Sequence, residues 1–291
     1  MIKLHTKLII PPDNVKALVV IVHGVGEHGG CYDELVEMFV SHSIGVFTYD
    51  QRGHGLSPGT RGHAAMDDLK SDLKYFVNDL KKKFSNIPIV ILGHSMGGQL
   101  ALRCAIEKDV PVQGAIAASP MIKLVNPPSR ILLKIALWIS RIAPCITIKA
   151  GIKSEHLAET TVEKPKDSKK DPLLHGRISL KLFTDLYYHG EKLIKKRQSS
   201  NMPVLLMHGT DDPLVSFDAG KLFAQKNKIF VYFKKWHKMR HSLLKDAKKE
   251  MVYKHLLTWI FIKVINRWNY SEQSSNVRNQ PKKLIIKRLS R

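Results

Sequence analysis

Three residue types, spaced far apart in a chain of 291 residues, could together carry out nucleophilic catalysis. The stretch GHSMGG at 93–98 sets Ser95 between Gly93 and Gly97. An apolar, β-branched run at 87–92 precedes it, and Leu100, Ala101, Cys104 and Ala105 follow at helical spacing. The pattern is strand, tight turn, helix, with a serine at the tip. Small neighbours let strand and helix pack closely enough to push the hydroxyl out above a sheet. The helix N-terminus behind it carries free N–H groups for a developing negative charge. A serine hydroxyl is a poor nucleophile near neutral pH. It needs a histidine to take its proton and a carboxylate to orient that histidine.

Asp211 and Asp212 follow the apolar run 203–207, and only one of them can face a histidine. Asp212, just before Pro213, is preferred, which leaves Asp211 as a solvated or turn-capping residue. Two histidines come later. His241, in MRHSLL at the approach to the last helix, is preferred as the base over His237, which stands among Lys234, Lys235 and Lys238. A tetrahedral intermediate also needs two backbone N–H donors. Met96, directly after the serine, is one. Val25 is the other, in HGVGEH at 23–28, where Gly24 and Gly26 permit close backbone approach. His23 and His28 have no clustered acidic or cysteine partner, so this motif does not read as a metal site, and no cofactor is implied.

These residues must be held by a regular scaffold. The runs 5–10, 17–22, 44–49, 87–92, 112–118, 203–207 and 229–233 read as strands. ALVVIV at 17–22 is apolar throughout, as in a strand buried on both faces of a parallel sheet. Helical spacing appears at 32–42, 66–84, after Ser95, at 219–226 and at 248–268. Alternating strands and helices predict an α/β fold with a mainly parallel central sheet and helices on both faces. The rhythm breaks between 121 and 201, where helix-like segments such as 129–142 and 178–196 occur, the stretch 149–171 reads as loop, and no strand is evident. This region is expected to be a helical cap over the C-terminal end of the sheet. The core is then expected to be 1–120 with 202–268, and 269–291 to be a flexible basic tail that, with the cap, meets an anionic membrane surface. The order serine, acid, histidine, each at a strand end, is that of α/β-hydrolases.

Composition limits the alternatives. Hydrophobic residues at 44% and charged residues at 25% fit a globular protein with a sizeable core. No run approaches the ~18 apolar residues of a spanning helix, and the first residues lack a secretion signal. Three widely spaced cysteines, Cys31, Cys104 and Cys145, suggest reduced thiols and a cytoplasmic location rather than a disulfide framework. The net charge of +22 would attract anionic membrane surfaces. The lysines are dispersed and no nucleic-acid module is present, which argues against nucleic acid as a partner.

The motifs HGVGEHGGCY, DQRGHGLSPGTRGH, GHSMGG, HGTDDPLVS and MRHSLLKD occur in this order and at suitable spacing over residues 3–262. In them the chain resembles the monoacylglycerol lipase/lysophospholipase group of α/β-hydrolases. The resemblance implies a serine hydrolase that cleaves the ester of single-chain lipids, with a helical cap over an acyl tunnel. It assigns Ser95 as nucleophile, Asp212 as acid, His241 as base, and Val25 and Met96 as the oxyanion hole. Two departures stand near these residues: Cys31 where the group often has arginine, and Ser242 where an acid commonly follows the histidine. A short-acyl carboxylesterase or acyltransferase on the same residues, and a non-catalytic membrane-associated protein, are the competing expectations. On the main reading, helix 129–142 meets a membrane, with Arg130, Lys134 and Arg141 at phosphates and Leu133, Leu137 and Trp138 in lipid.

Overall fold

The computed structural model describes residues 2–151, 156 and 171–271. Its centre is the all-apolar strand β2 (Ala17–Val22), every residue of which is buried. Leu18, Val20 and Val22 pack into one core and Ala17, Val19 and Ile21 into another on the opposite face of the sheet. That two-sided burial follows from the period-2 alternation of a strand with helices on both sides.

Seven strands form the main sheet in the order β1-β3-β2-β4-β5-β8-β9. They are β1 (Thr6–Ile9), β2, β3 (Ile44–Tyr49), β4 (Ile89–His94), β5 (Gly114–Ala118), β8 (Val204–Gly209) and β9 (Val231–Trp236). Only β1 is antiparallel to its neighbour. Helices α2 (Met66–Lys83) and α3 (Met96–Glu107) cover one face, and α1 (Asp33–Ser41) and α7 (Lys249–Ile260) the other. Helix α6 (Phe217–Lys226) joins the first group. The α/β fold expected from the alternation is therefore present. Because the strands are parallel, β2, β4, β8 and β9 all end at the same edge of the sheet, and each is followed by one of the candidate site segments.

Over that edge lie helices α4 (Arg130–Ile142) and α5 (Leu180–Lys195) and a small antiparallel sheet of β6 (Thr147–Lys149) and β7 (Arg177–Ser179). This hairpin corrects the expectation of no strand between 121 and 201. Each strand has three residues, too short for an alternating pattern to show. Ser129 caps α4 by accepting from the Leu132 N–H, and Ser179 caps α5 through Leu182.

Two boundaries also move. Strand β9 begins at Val231 and runs to Trp236, through two lysines that do not look like strand. The last helix contains a π-turn, Phe261–Ile265, inside what read as continuous α-helix. In α4 only Leu133 and Ser140 are buried, while Ile131, Leu132, Ile135, Trp138 and Ile142 are exposed. Leu133 is thus a packing residue rather than an outward one. Among the described residues no helix is long and apolar enough to cross a membrane. The expected loop at 149–171 and tail at 269–291 fall mostly outside the described residues.

Candidate active site

Ser95 occupies the turn between β4 and α3 with φ 55° and ψ −111°, a positive φ that a non-glycine residue adopts only under constraint. Such a conformation costs about 1–3 kcal/mol and needs surroundings that enforce it. The enforcement is backbone contact. A Cβ at Gly97 would stand 2.0 Å from the Val22 carbonyl oxygen, and one at Gly93 2.0 Å from the Gly97 carbonyl oxygen. The Ser95 N–H donates to Ala118 O at 2.9 Å, and Ser95 O accepts from Gln99 and Met121, both at 3.0 Å.

Asp212 is buried in the loop after β8. Its Oδ1 accepts the N–H groups of Leu214 (2.9 Å) and Val215 (3.0 Å). Its Oδ2 accepts from His241 Nδ1 at 2.8 Å and from His208 Nε2 at 3.1 Å. Burial alone would raise this carboxyl. Electrostatic attraction to His241 and the hydrogen bonds from His208 and His241 overcome burial and hold it well below the usual carboxylate range. With Nδ1 donating to Asp212, the lone pair of His241 is on Nε2. The His241 ring packs against His94, tilted by 53°, with 5.0 Å between centroids. Asp211, by contrast, is exposed and accepts from the Thr210 hydroxyl, and His237 is exposed. Ser95 and His241 line the same pocket, although no Ser95–His241 hydrogen bond is formed among the described residues.

The loop after β2 closes on the serine. A Cβ at Gly24 would lie 3.3 Å from Ser95 Cβ, so only glycine fits there without displacing a neighbour. Val25 and Met96 both border the pocket that holds Ser95. The two histidines of HGVGEH turn to separate partners. His23 is fully buried, with Nδ1 donating to Gly24 O at 2.8 Å and Nε2 accepting from the Gln51 N–H at 2.9 Å. Burial lowers its pKa to about 4, which keeps the ring neutral. His28 faces Asp171 at 2.8 Å.

Sequence reasoning missed a half-buried network behind this loop. Glu27 accepts from Gly24 N–H (2.8 Å), Tyr32 hydroxyl (2.6 Å) and Lys245 Nζ (2.6 Å), and stands 3.2 Å from His94 Nδ1. Burial opposes its charge, but Lys245 and His94 keep Glu27 well below the usual range. Glu27 was visible in its motif. Lys245 stood in the motif MRHSLLKD, but its pairing with a residue more than two hundred positions away was not visible.

Two kinds of space meet at Ser95. A cavity of about 290 Å³ is lined by Glu27, His94, His175, Lys245 and the 24–26 backbone. A narrow apolar neck of about 120 Å³, bounded by Met121, Leu186 and Val215, leads the other way. It shares Leu124, Ala150, Ile178, Phe183 and Leu214 with a cavity of about 710 Å³ under α4.

A mainly parallel sheet, a serine on a strand-to-helix elbow, and an aspartate–histidine pair at later strand ends define an α/β-hydrolase. A family model described as serine aminopeptidase, S33, matches residues 13–248, and the chain belongs to that family, as an α/β-hydrolase of the monoacylglycerol-lipase type. An uncharacterized abhydrolase domain-containing protein of Dictyostelium discoideum is 30% identical over 263 residues, which are 89% of this chain and 28% of that protein. A putative monoglyceride lipase of Schizosaccharomyces pombe is 32% identical over 267 residues, 86% of this chain and 68% of that one. Among solved structures, the monoacylglycerol lipase of Paleococcus ferrophilus is similar with a TM-score of 0.80 at 26% identity, covering 89% of this chain and 98% of that chain.

Proposed function

We propose that this chain is a serine hydrolase that cleaves the carboxylic ester of single-chain lipids, monoacylglycerol or lysophospholipid, through an acyl-enzyme. Ser95 Oγ attacks the ester carbonyl while His241 Nε2 takes its proton. Asp212 holds the imidazole in the tautomer that leaves Nε2 free and stabilises the cation that forms. The Val25 and Met96 N–H groups receive the oxyanion. His241 returns its proton to the departing alcohol, which leaves through the polar cavity, and water then releases the acyl group by the same route in reverse. The Ser95–His241 contact closes when substrate binds, since such bonds are often open without ligand.

The observation that carries this reading is the apolar passage from Ser95 into the cavity under α4. Its size and lining suit an acyl chain, which argues against a short-acyl esterase. The names of the relatives agree with a glyceride substrate. We take 121–201 as the cap and its helix α4 as the part that meets an anionic membrane surface from a cytoplasmic location, with Ile131, Leu132, Ile135, Trp138 and Ile142 outward beside Arg130, Lys134 and Arg141. Hydrolysis of 1-monoacylglycerols and lysophosphatidylcholines, each with acyl chains from acetyl to oleoyl, tests the proposal. Activity should rise from short to long chains and vanish in Ser95→Ala. An active Ser95→Ala protein, or a preference for acetyl esters, would refute it.

A further inference from the structure

The segment 171–179 leads from the region over the site back into the core, and it crosses two glycine turns on the way. At the loop after β2, Asp171 Oδ2 lies 2.8 Å from His28 Nε2, and the His175 N–H donates to Gly26 O at 3.0 Å. Gly26 has φ +77°, and a Cβ there would stand 2.0 Å from the His175 carbonyl oxygen, so strap and loop touch backbone to backbone. At the second turn, the Ser179 N–H donates to Gly62 O at 2.8 Å, and a Cβ at Gly62 would stand 2.3 Å from Arg177 O. Between them the His175 ring packs 4.8 Å from His54. The same segment belongs to the part over the site, since Gly176 O accepts from Ala150 N at 2.8 Å and β7 pairs with β6.

The loop that carries Val25 is thus gripped from two sides. From within, Glu27 Oε2 holds the Gly24 N–H. From without, the strap holds the Gly26 carbonyl and the His28 ring. Val25 N–H lies between these anchors. An oxyanion donor is effective only when fixed before the charge develops, and a displacement of about 1 Å at a reacting centre can cost about 10²-fold.

We propose that the strap 171–176 is a positioning element of the hydrolytic site: clasped by the His28–Asp171 pair, it fixes the 24–26 backbone, so that lifting the cap and loosening the oxyanion hole are one event. This rests on the reading of Val25 and Ser95 given above. Asp171 and His28 touch neither substrate nor the reacting atoms in this scheme and act through the backbone.

The test uses the full chain and a soluble ester, p-nitrophenyl butyrate, which does not depend on membrane docking or on filling the long cavity. Asp171→Ala should lower kcat about tenfold or more with KM changed by less than about twofold, because the loss is confined to the transition state. Asp171→Asn, whose side-chain oxygen still accepts the His28 N–H, should recover most of the rate. The double variant His28→Ala/Asp171→Ala should be no slower than the slower single variant. Asp171→Ser replaces the alanine variant should that one fail to fold, as judged by thermal melting. The proposal is overturned if the alanine or serine variant keeps kcat within about twofold, if the loss lies in KM, or if the two single effects multiply. Labelling of Ser95 by a fluorophosphonate in the unaltered chain separates the two ideas. Without labelling the hydrolase reading fails and the strap's role fails with it. With labelling, an indifferent Asp171 overturns the strap alone.

Discussion

His23 and His54 are the most deeply buried of the histidines that burial holds neutral, and they contribute to how the fold responds to acid. Burial lowers His23 to about 4 and His54 to about 3 from 6.5, and their rings lie 5.2 Å apart. Both values are depressed, so the unfolded chain binds more protons than the folded one from about pH 6.5 down to about 4. Their contribution to stability is full above that window and falls as pH drops through it, by up to about 1.4 kcal/mol per pH unit for each histidine. Urea unfolding at pH 7, 6, 5 and 4.5 should show this decline, and His54→Gln should make it shallower. A profile flat to pH 4.5 would refute the assignment of neutral rings. At this scale Ser95, Asp212 and His241 were legible because each sits in a short motif at a strand end. His208 and Lys245 stand in the motifs HGTDDPLVS and MRHSLLKD, but their roles were not legible, because these depend on meeting Asp212 and Glu27 in three dimensions.

The element that does most to set the site is the join of β4 and α3, and it rests on backbone packing that side chains would disrupt. A Cβ at Gly97 meets the Val22 and His23 carbonyl oxygens, at 2.0 and 2.9 Å, and both belong to the central strand or its exit. Neither can retreat without breaking the β2 ladder or the 23–28 loop. Gly97→Ala should therefore destabilise the chain by about 1–3 kcal/mol or more, as overpacking does, and should abolish fluorophosphonate labelling even at temperatures where the variant is folded. Gly176→Ala is the contrast, since a Cβ there meets nothing within 4 Å, and it should leave the melting temperature near that of the parent. A Gly97→Ala protein that melts and labels like the parent would refute the packing argument. The main strands and helices were legible because long apolar runs and 3.6-residue spacing survive in single sequences. The β6–β7 hairpin and the π-turn at Phe261–Ile265 were not. Three-residue strands have no period, and a π-turn differs from an α-helix by one residue in a backbone the apolar pattern does not resolve.

At the scale of the whole molecule two surface properties meet at the region above the site. The chain carries a net charge of +22, and α4 exposes five large apolar residues with Arg130, Lys134 and Arg141 on the same helix. The sign of the charge and the apolar character of this helix were legible in the sequence. Which apolar residues face outward was not, because that depends on how α4 packs against α5, and the packing buries Leu133 and leaves Ile131 and Ile135 out. The two properties predict different responses to salt. Charge attraction to an anionic surface is screened within about 10 Å at 0.1 M salt and about 3 Å at 1 M, whereas insertion of apolar side chains is not weakened by salt. Binding to vesicles containing phosphatidylserine should therefore exceed binding to pure phosphatidylcholine at low salt, and the difference should shrink at 1 M while a residual affinity persists. The fluorescence of Trp138, 64% exposed, should shift to the blue on binding, whereas Trp236 and Trp259 are already buried. Trp138→Phe should keep most of the affinity but lose the shift, and Ile131→Asp with Ile135→Asp should remove the salt-resistant share. Should binding vanish entirely at 1 M salt with no change in Trp138 emission, the helix serves only to cover the cavity beneath it, and the attraction belongs to the protein's overall charge.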